Sequence, residues 1–303
     1  MRLSAIQKAY IQLHVAIFLW GFTAILGDLI SLDAIPLVWW RVLLTSISIF
    51  FLIPLYQNLK ALKRRTILRF SGIGMLIGLH WILFFASIKL SNPSIALICM
   101  ATGSFFTAIL EPIVLKQRIK GYEILLGMMI LPGMILIVNN TELSMMNGIW
   151  AGVLSALLAA IFTVLNKKYI EDIEPKIMTF LEMSTAWIMV SLMLPVVYFL
   201  EPESFNMVPS LPDIGYLCVL AFLCTTLAFI LSLKSLKHLS AFTSNLSINL
   251  EPVYGIVMAA LLLNDLEELN YRFYIGCAVI LLAVFTYPLI KLYYKRKSLK
   301  SIG

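Results

Sequence analysis

Charged residues are scarce in this sequence, and their scarcity excludes a water-soluble protein. Asp, Glu, Lys and Arg make up 13% of the 303 residues, whereas hydrophobic types make up 61%. A soluble chain of this length cannot bury so much apolar surface, so lipid must be its solvent. Histidine is rarer still: His14, His80 and His238 lie far apart and give no metal-binding spacing. We therefore expect an integral membrane protein that holds no metal.

Sequence motifs of enzymes are also missing. The chain contains no GxxxxGK[ST] phosphate-binding loop and no GxSxG nucleophile elbow. No CxxC pair occurs, and every cysteine lies within an apolar segment, so we expect buried free thiols rather than a disulfide framework. These cysteines are Cys99, Cys218, Cys224 and Cys277. The sequence thus predicts that the protein is not an enzyme and carries no cofactor.

Long apolar runs fill the chain instead. A helix needs about 20 mostly apolar residues to cross the hydrocarbon of a bilayer. Ten segments fit, near 9–30, 35–56, 68–89, 93–115, 121–139, 147–166, 177–200, 213–233, 240–263 and 270–290. Arg2 and Lys8 before the first run mimic a signal peptide, but no small-x-small cleavage site follows at a convincing distance. We predict an all-α integral membrane protein of ten helices whose first helix is not cleaved.

The basic residues indicate the orientation of these helices. With the amino terminus in the cytoplasm, 20 of the 23 Lys and Arg residues fall on the inner side. Lys89 and Arg272 fall outside, and Arg41 lies within the second span. This positive-inside pattern predicts a multi-pass protein of the cell inner (plasma) membrane with both termini, including a basic tail at 291–303, in the cytoplasm. The net charge of +7 therefore indicates no nucleic-acid partner, and membrane lipid is the natural partner of the basic cluster at 60–69.

Two polar stripes repeat along the chain at an offset of 140 residues. They pair Ser104, Thr107, Glu111 and Pro112 of the fourth span with Ser244, Ser247, Glu251 and Pro252 of the ninth. Phe22-Thr23 and Phe162-Thr163 have the same offset. If each repeat has five spans, the odd number forces the second to cross the membrane upside down. We therefore predict two inverted five-helix repeats, at 9–139 and 147–290.

The stripes supply the first site candidates. A carboxylate in hydrocarbon costs several kcal/mol, so an intramembrane glutamate should face the protein interior or water. Glu251 is accordingly the leading candidate for substrate binding or coupling. Glu111 is weaker, because Lys116 lies only five residues on and the side chain could reach the interface. The hydroxyls of both stripes fit either a cavity lining or close helix packing, and Asn245 and Trp20 join the candidate set.

The two prolines are candidates for helix breaks. Each directly follows a glutamate, as Pro112 and Pro252. Proline lacks a backbone donor and clashes with the carbonyl four residues back, so a kink is expected there. In transporters such kinks mark binding sites or flexing points, although a kink stabilised by packing explains them equally well.

Three more polar side chains lie within predicted spans. Arg41 follows two tryptophans, which favours snorkelling to an aromatic belt over binding of an anionic substrate group. His80, next to Trp81, could shuttle protons, but a neutral histidine that hydrogen-bonds between helices is favoured. Trp81 fits an aromatic ligand or lipid. Glu182, 141 residues after Arg41, is expected at the interface.

The pattern as a whole resembles the EamA branch of the drug/metabolite transporter superfamily. The residues that carry the resemblance are Trp20-Gly21, Leu250-Glu251-Pro252, Gly127 and Gly276. The likeness covers residues 9–290. Where family repeats usually end spans four and nine with Gly-Glu, this chain has Lys116-Gln117 and Asn264-Asp265, and that alignment gives an offset of 148 instead of 140. The choice between the two registers stays open.

The resemblance implies a secondary transporter, in the sense of an exporter or exchanger of small organic metabolites such as amino acids. It implies alternating access and a cavity lined mainly by spans three, four, eight and nine, with contributions from one and six. Whether protons are coupled is open. The alternatives are a multidrug or nucleotide-sugar exchanger, which should have more interior cations for phosphates, and a non-transporting membrane scaffold or sensor.

Overall fold

The computed structural model describes residues 3–54, 60, 62–129, 132, 143–200, 202, 205–251, 253–254, 275, 278–279, 282, 285–287 and 289–290. Within these ranges all regular structure is helical. The all-helical class predicted from the apolar runs is thereby confirmed for the described part of the chain. The predicted tail at 291–303 and most of the tenth span lie outside it.

Within the described residues, seven helices are long and apolar enough to cross a membrane. They are α1 Ala5–Leu29, α2 Ala34–Leu52, α3 Arg64–Leu90, α4 Pro93–Leu115, α6 Met146–Tyr169, α7 Pro175–Leu200 and α8 Leu211–Leu236. Two shorter helices, α5 Gly121–Met128 and α9 Ala241–Ile248, begin where the fifth and ninth spans are predicted. A 3₁₀ turn, Leu143–Met145, precedes α6. A π-helical segment, Phe222–Leu227, lies inside α8.

Side-chain caps fix where several helices begin. Ser4 and Gln7 form a capping box at α1, and Ser210 and Asp213 form another at α8. The Asn92 side chain accepts from Ile95 N at 2.9 Å before α4. The Ser240 hydroxyl likewise accepts from Thr243 N at 3.0 Å before α9. Each cap satisfies a backbone donor that has no partner within its helix.

Helices α4 and α9 share an interruption about nine residues after their caps. In α4 it lies at Thr102, between Pro93–Ala101 and Gly103–Leu115, and α9 ends before the turn at Asn249 and Leu250. The Thr102 hydroxyl donates to Cys99 O at 2.7 Å, and such side-chain bonds compete with the helical ladder. The caps Asn92 and Ser240 and the interruptions at Thr102 and Leu250 are each 148 residues apart. Local structure therefore relates these two helices by the 148 register.

The predicted break at Pro112 is wrong. The segment Gly103–Leu115 continues through this proline and ends at Lys116, whose φ of 55° is left-handed. Gln117 N donates to the Pro112 carbonyl at 2.8 Å and completes the cap. The interruption ten residues earlier replaces the expected one, because threonine followed by glycine weakens the helix there. Pro252 lies outside the described residues.

Helices of the first half of the sequence pack on helices of the second half. Helix α1 packs on α8, α3 on α6 and α7, α2 on α7, and α4 on α6 and α9. Glycine permits the closest approach: a Cβ on Gly74 would lie 2.8 Å from Glu182 Cα, and one on Gly127 would lie 2.7 Å from Phe105 Cα. Small residues at such contacts let helix backbones meet in a membrane, where apolar side chains gain nothing by leaving lipid.

Two opposite ends of the helix bundle can now be distinguished. The amino-terminal face is the end at which α1, α3, α7 and α9 begin, and there Lys8, Glu174, Lys234 and Lys237 line one surface cleft. At the opposite face, α8 begins beside the end of α1, where Ser31 N donates to Asp213 Oδ1 at 2.8 Å. The cavity described next lies between these faces.

Candidate functional site

A central cavity lies among α1, α2, α3, α4, α6, α8 and α9. Its volume is about 90 Å³, several times the space that one water molecule needs. Five aromatic rings contribute to its wall, namely Trp20, Trp81, Phe84, Phe162 and Phe229. Its polar wall consists of Thr23, Arg41, His80, Thr163, Asn166, Ser232, Ser244, Asn245 and Glu251. A mostly apolar wall with a few polar groups is typical of small-molecule sites.

Glu251 lies directly after the interruption that ends α9. Its side chain is 7% exposed and lines the cavity. The Thr23 hydroxyl, which donates to Trp20 O at 2.6 Å, is also 3.4 Å from Glu251 Oε1. The leading candidate from the polar stripe is thus placed in the cavity together with Trp20.

Arg41 does not snorkel to the membrane interface. The residue is 2% exposed, and its Nε donates to the Thr225 hydroxyl at 2.7 Å. The guanidinium carbon lies 4.1 Å from the centroid of the Trp81 ring and 5.5 Å from that of Phe85. A cation over an aromatic face is stabilised by the ring quadrupole, and that stabilisation is larger where water is excluded. Helices α3 and α8 converge on Arg41 and provide an interior site that the sequence alone did not reveal.

His80 bridges α3 and α6. Its Nδ1 lies 2.8 Å from the Ser155 hydroxyl and 3.0 Å from the Ser155 carbonyl, and that hydroxyl is also 2.9 Å from His80 O. The ring packs against Phe162, with centroids 5.3 Å apart, and lines the cavity. The geometry is that of the favoured prediction, a histidine hydrogen-bonded between helices.

Most of the polar stripe on α4 faces α9 and not the cavity. Asn245 Nδ2 donates to the Thr107 hydroxyl, and Asn249 Nδ2 donates to that of Ser104 at 3.2 Å. The Ser247 hydroxyl donates to Thr243 O at 2.9 Å. The bonds from Asn245 and Asn249 hold the two helices together, the Ser247 bond lies within α9, and Ser244 and Asn245 also reach the cavity wall.

Glu111 caps α9 from across the interface. Its Oε1 accepts from Ala241 N at 2.9 Å and its Oε2 from Phe242 N at 2.7 Å. A carboxylate at a helix N-terminus satisfies free N–H groups and favourably meets the positive end of the helix dipole. Glu111 is 5% exposed but does not line the cavity. The structure therefore separates it from Glu251, its partner in the stripe.

The resemblance implied that spans six and eight contribute to the cavity, but sequence reasoning did not name Asn166 or Ser232 as site candidates. Asn166 and Thr163 of α6 and Ser232 of α8 line the cavity. An asparagine inside an apolar span was the available signal, since polar side chains in lipid-embedded helices face the protein interior.

Glu182 was predicted at the interface, and this is wrong: the residue is 0% exposed. Gly74 lets α3 lie directly against it.

The cavity combines one carboxyl group, one guanidinium and one imidazole within an aromatic wall. Such a site can bind a small molecule through ion pairs, hydrogen bonds and ring contacts. Among the described residues no group of three or more His, Cys, Asp or Glu side chains could hold a metal ion. The arrangement is therefore that of a binding site enclosed by membrane helices.

Comparisons with known proteins give the same architecture. A solved crystal structure, described only as that of a protein, matches with a TM-score of 0.72 over 93% of this chain and 96% of its own, at 15% sequence identity. At that identity the match shows the fold alone. No curated protein matches the chain. The model of the EamA-like transporter family matches residues 7–139 and 146–287, in two repeats. With its bundle of apolar helices around one cavity, the chain is a multi-pass membrane protein that belongs to the EamA-like transporter family.

Proposed function

We propose that the protein is a secondary transporter that exports small organic metabolites such as amino acids or related compounds. The observation that carries this proposal is the cavity, in which Glu251 and Arg41 share one aromatic enclosure between the two faces of the bundle. A binding site at mid-depth between two repeats is where secondary transporters hold their substrates.

The polar groups of the cavity favour a substrate with both an amine and an acid group. Only Nε of Arg41 makes a hydrogen bond within the described residues, so its terminal NH₂ groups remain for a carboxylate, which a guanidinium binds bidentately. Glu251 would meet a cationic group. Arg41 is the one Lys or Arg in the described cavity wall, and a nucleotide sugar with two phosphates would need more.

Ten helices in two inverted repeats best explain why helices of the first half pack on helices of the second half. The contacts of α1 with α8 and of α3 with α6 become equivalent when the first five helices are related to the second five by a two-fold axis, and α2–α7 and α4–α9 then lie across that axis. Rocking of the two units would expose the cavity to each side in turn. The amino-terminal face would be cytoplasmic, because the basic residues lie there.

Glu251 is the residue that we expect to couple transport to protons. Its carboxyl group is buried, and the Thr23 hydroxyl is its hydrogen-bond partner within the described residues. An ionised carboxylate in such a site is costly unless a proton or a cationic substrate neutralises it. Exchange of one for the other would link their movements.

The test is transport by proteoliposomes that contain the purified chain, with a mixed pool of amino acids and related metabolites, with and without a pH gradient. We expect a selective flux that follows the gradient. Glu251→Gln should abolish gradient-driven flux while leaving the protein folded, and Glu171→Gln, at an exposed glutamate, is the matched control. Unchanged gradient-driven flux in Glu251→Gln would remove this residue from coupling. Absence of any flux through folded wild-type protein would contradict transport of this substrate class.

A further inference from the structure

We propose that Glu182 and Asn166 form a proton-binding site beside the central cavity, separate from Glu251. Glu182 is the eighth residue of α7 and is 0% exposed. Asn166, on α6, is 1% exposed and lines the cavity. The Asn166 side chain is the polar neighbour of the Glu182 carboxyl group, so one amide lies between the cavity and a buried acid.

Three oxygen atoms at this site have no donor. Neither Oε1 nor Oε2 of Glu182, nor Oδ1 of Asn166, makes a hydrogen bond to any described residue. A neutral buried acceptor without a donor is destabilising, and an ionised carboxylate without one is more so. The carboxyl group therefore needs a positive species that the described residues do not supply.

The charged and titratable groups on the neighbouring helices do not supply it. Besides Glu182, the charged side chains and histidines on α2, α3, α6, α7 and α8 are Arg41, Arg64, Arg65, Arg69, His80, Lys89, Lys167, Lys168, Lys176, Asp213 and Lys234, with Glu174 just before α7. The tyrosines and cysteines there are Tyr169, Tyr198, Tyr216, Cys218 and Cys224. Arg41 donates to Thr225, Arg69 pairs with Asp172, and Lys167 donates to Leu236 O at 2.7 Å. His80 is held by Ser155. No described cation is hydrogen-bonded to the Glu182 carboxyl group, because neither of its oxygens has a hydrogen-bond partner among the described residues.

One proton on Glu182 would give a hydrogen bond to two of these three oxygens, namely one carboxyl oxygen of Glu182 and Asn166 Oδ1. A protonated Glu182 gains an O–H donor, and the neighbouring Asn166 amide can turn its oxygen, which has no donor among the described residues, to accept that proton. The remaining carbonyl oxygen is neutral, and its burial is far cheaper than that of a charge. A hard metal cation is a poorer fit, because it takes about six or more oxygen ligands and this site offers three.

The position of Asn166 connects this proton to the contents of the cavity. A substrate that turns the Asn166 amide toward itself would remove the acceptor of the Glu182 proton. This consequence for transport rests on the proposed function, whereas the protonated state of Glu182 does not. The site also has a counterpart of opposite charge, since Arg41 is the eighth residue of α2, is equally buried, and α2 packs on α7.

Infrared difference spectroscopy of the full chain in lipid tests the site without any transport measurement. We expect the wild type to show a carbonyl band of a neutral carboxylic acid at neutral pH that is lost in Glu182→Gln. Glu171→Gln, an exposed control, should keep it. In Asn166→Ala the same band should move to higher frequency, because the acid proton loses its acceptor. This second variant keeps the test decisive if Glu182→Gln folds poorly.

A pH series gives the matching thermodynamic result. Deprotonation would leave a bare carboxylate among apolar groups, so the wild type should lose thermal stability as the pH rises, and Glu182→Gln should lose less. Absence of the acid band in folded wild-type protein would overturn the proposal. So would a stabilisation by sodium chloride, but not by choline chloride, that Glu182→Gln abolishes, since the site would then hold sodium. Proteoliposomes that transport nothing would contradict the proposed function while leaving the infrared result intact.

Discussion

Arg41 shows how its surroundings decide the role of a charge inside a membrane helix. From sequence, the preceding tryptophans predicted an interfacial arginine, because such residues form the aromatic belt. In the structure Thr225 and Trp81 approach from two other helices and provide a hydrogen bond at 2.7 Å and a ring face at 4.1 Å. Neither contact follows from the sequence near Arg41, since both depend on how distant helices pack. The sequence could identify the residue as a candidate but not its location.

Replacement of Arg41 by lysine tests whether the guanidinium itself binds substrate. Lysine keeps the charge but loses the planar fork and the flat contact with Trp81. Loss of one charge-assisted hydrogen bond, about 1.5–3 kcal/mol, should weaken binding of a carboxylate-bearing substrate by tenfold or more. Substrate affinity by scintillation proximity on purified protein is the measurement. Arg65→Lys, at an exposed position outside the cavity wall, should bind normally, and equal affinity in both variants would show that Arg41 does not contact the substrate.

Glu111 and Glu251 mark the limit of what a spacing pattern can reveal. Both occupy the same place in the stripe, and both are buried. The sequence predicted that an intramembrane carboxyl group faces the protein interior or water, since lipid is too costly, and left open that Glu111 reaches the interface. It could not separate the cap of α9 from the cavity wall, because that difference depends on the 148 register set by the caps at Asn92 and Ser240.

At the scale of helices, the sequence predicted well which segments are helical, and predicted poorly where a helix is interrupted. Seven predicted spans correspond to seven helices long enough to cross a membrane, because a run of apolar residues must be helical in lipid. The interruption of α4 lies at Thr102 and not at Pro112. Proline costs one hydrogen bond, which neighbouring groups can compensate, whereas Thr102 offers its helix an alternative partner for the Cys99 carbonyl.

Two glycines of α3 that lie two residues apart, Gly72 and Gly74, provide a matched test of the contact between α3 and α7. A Cβ on Gly74 would lie 2.8 Å from Glu182 Cα, in the backbone of α7, while one on Gly72 would have nothing within 4 Å. Gly74→Ala should therefore destabilise the fold by about 1–3 kcal/mol through overpacking. Gly72→Ala should be neutral or stabilise by up to about 1 kcal/mol, because alanine favours helix. Unfolding midpoints in detergent measure both changes, and equal midpoints would contradict the close contact of α3 with α7.

At the scale of the whole molecule, two polar contacts, here called ties, join the first half of the chain to the second half, one at each face of the bundle. At the face opposite the amino-terminal face, the Ser31 hydroxyl donates to Asp213 Oδ2 at 2.6 Å, which links the end of α1 to the start of α8. At the amino-terminal face Asp172 pairs with Arg69 and links the end of α6 to the start of α3. Ser31 and Asp172 are 141 residues apart, so the ties occupy equivalent places in the two halves. In alternating access, one tie would open while the other holds.

The two ties should therefore bias the cavity in opposite directions when they are removed. Ser31→Ala deletes the hydroxyl bond to Asp213 Oδ2, while the backbone N–H of residue 31 still donates to Oδ1 and the Ser210 cap of α8 remains. Loss of a hydrogen bond to a buried carboxylate, about 1.5–3 kcal/mol, should increase opening at the opposite face about tenfold or more. Asp172→Ala removes a half-exposed ion pair worth about 0.2–1 kcal/mol, so opening at the amino-terminal face should rise by at most about fivefold.

Labelling of a cysteine placed in the cavity measures this bias directly. Ser232→Cys, in a chain whose four native cysteines are replaced, would report access of a membrane-impermeant maleimide from either side of oriented vesicles. Ser31→Ala should speed labelling from one side and Asp172→Ala from the other, with the larger change in Ser31→Ala because a buried carboxylate loses more than an exposed one. Acceleration from the same side in both variants would show that the ties are not alternating closures. The ranking of the two effects thus follows from burial alone, whereas their opposite direction follows from the two-fold relation that we propose for the halves.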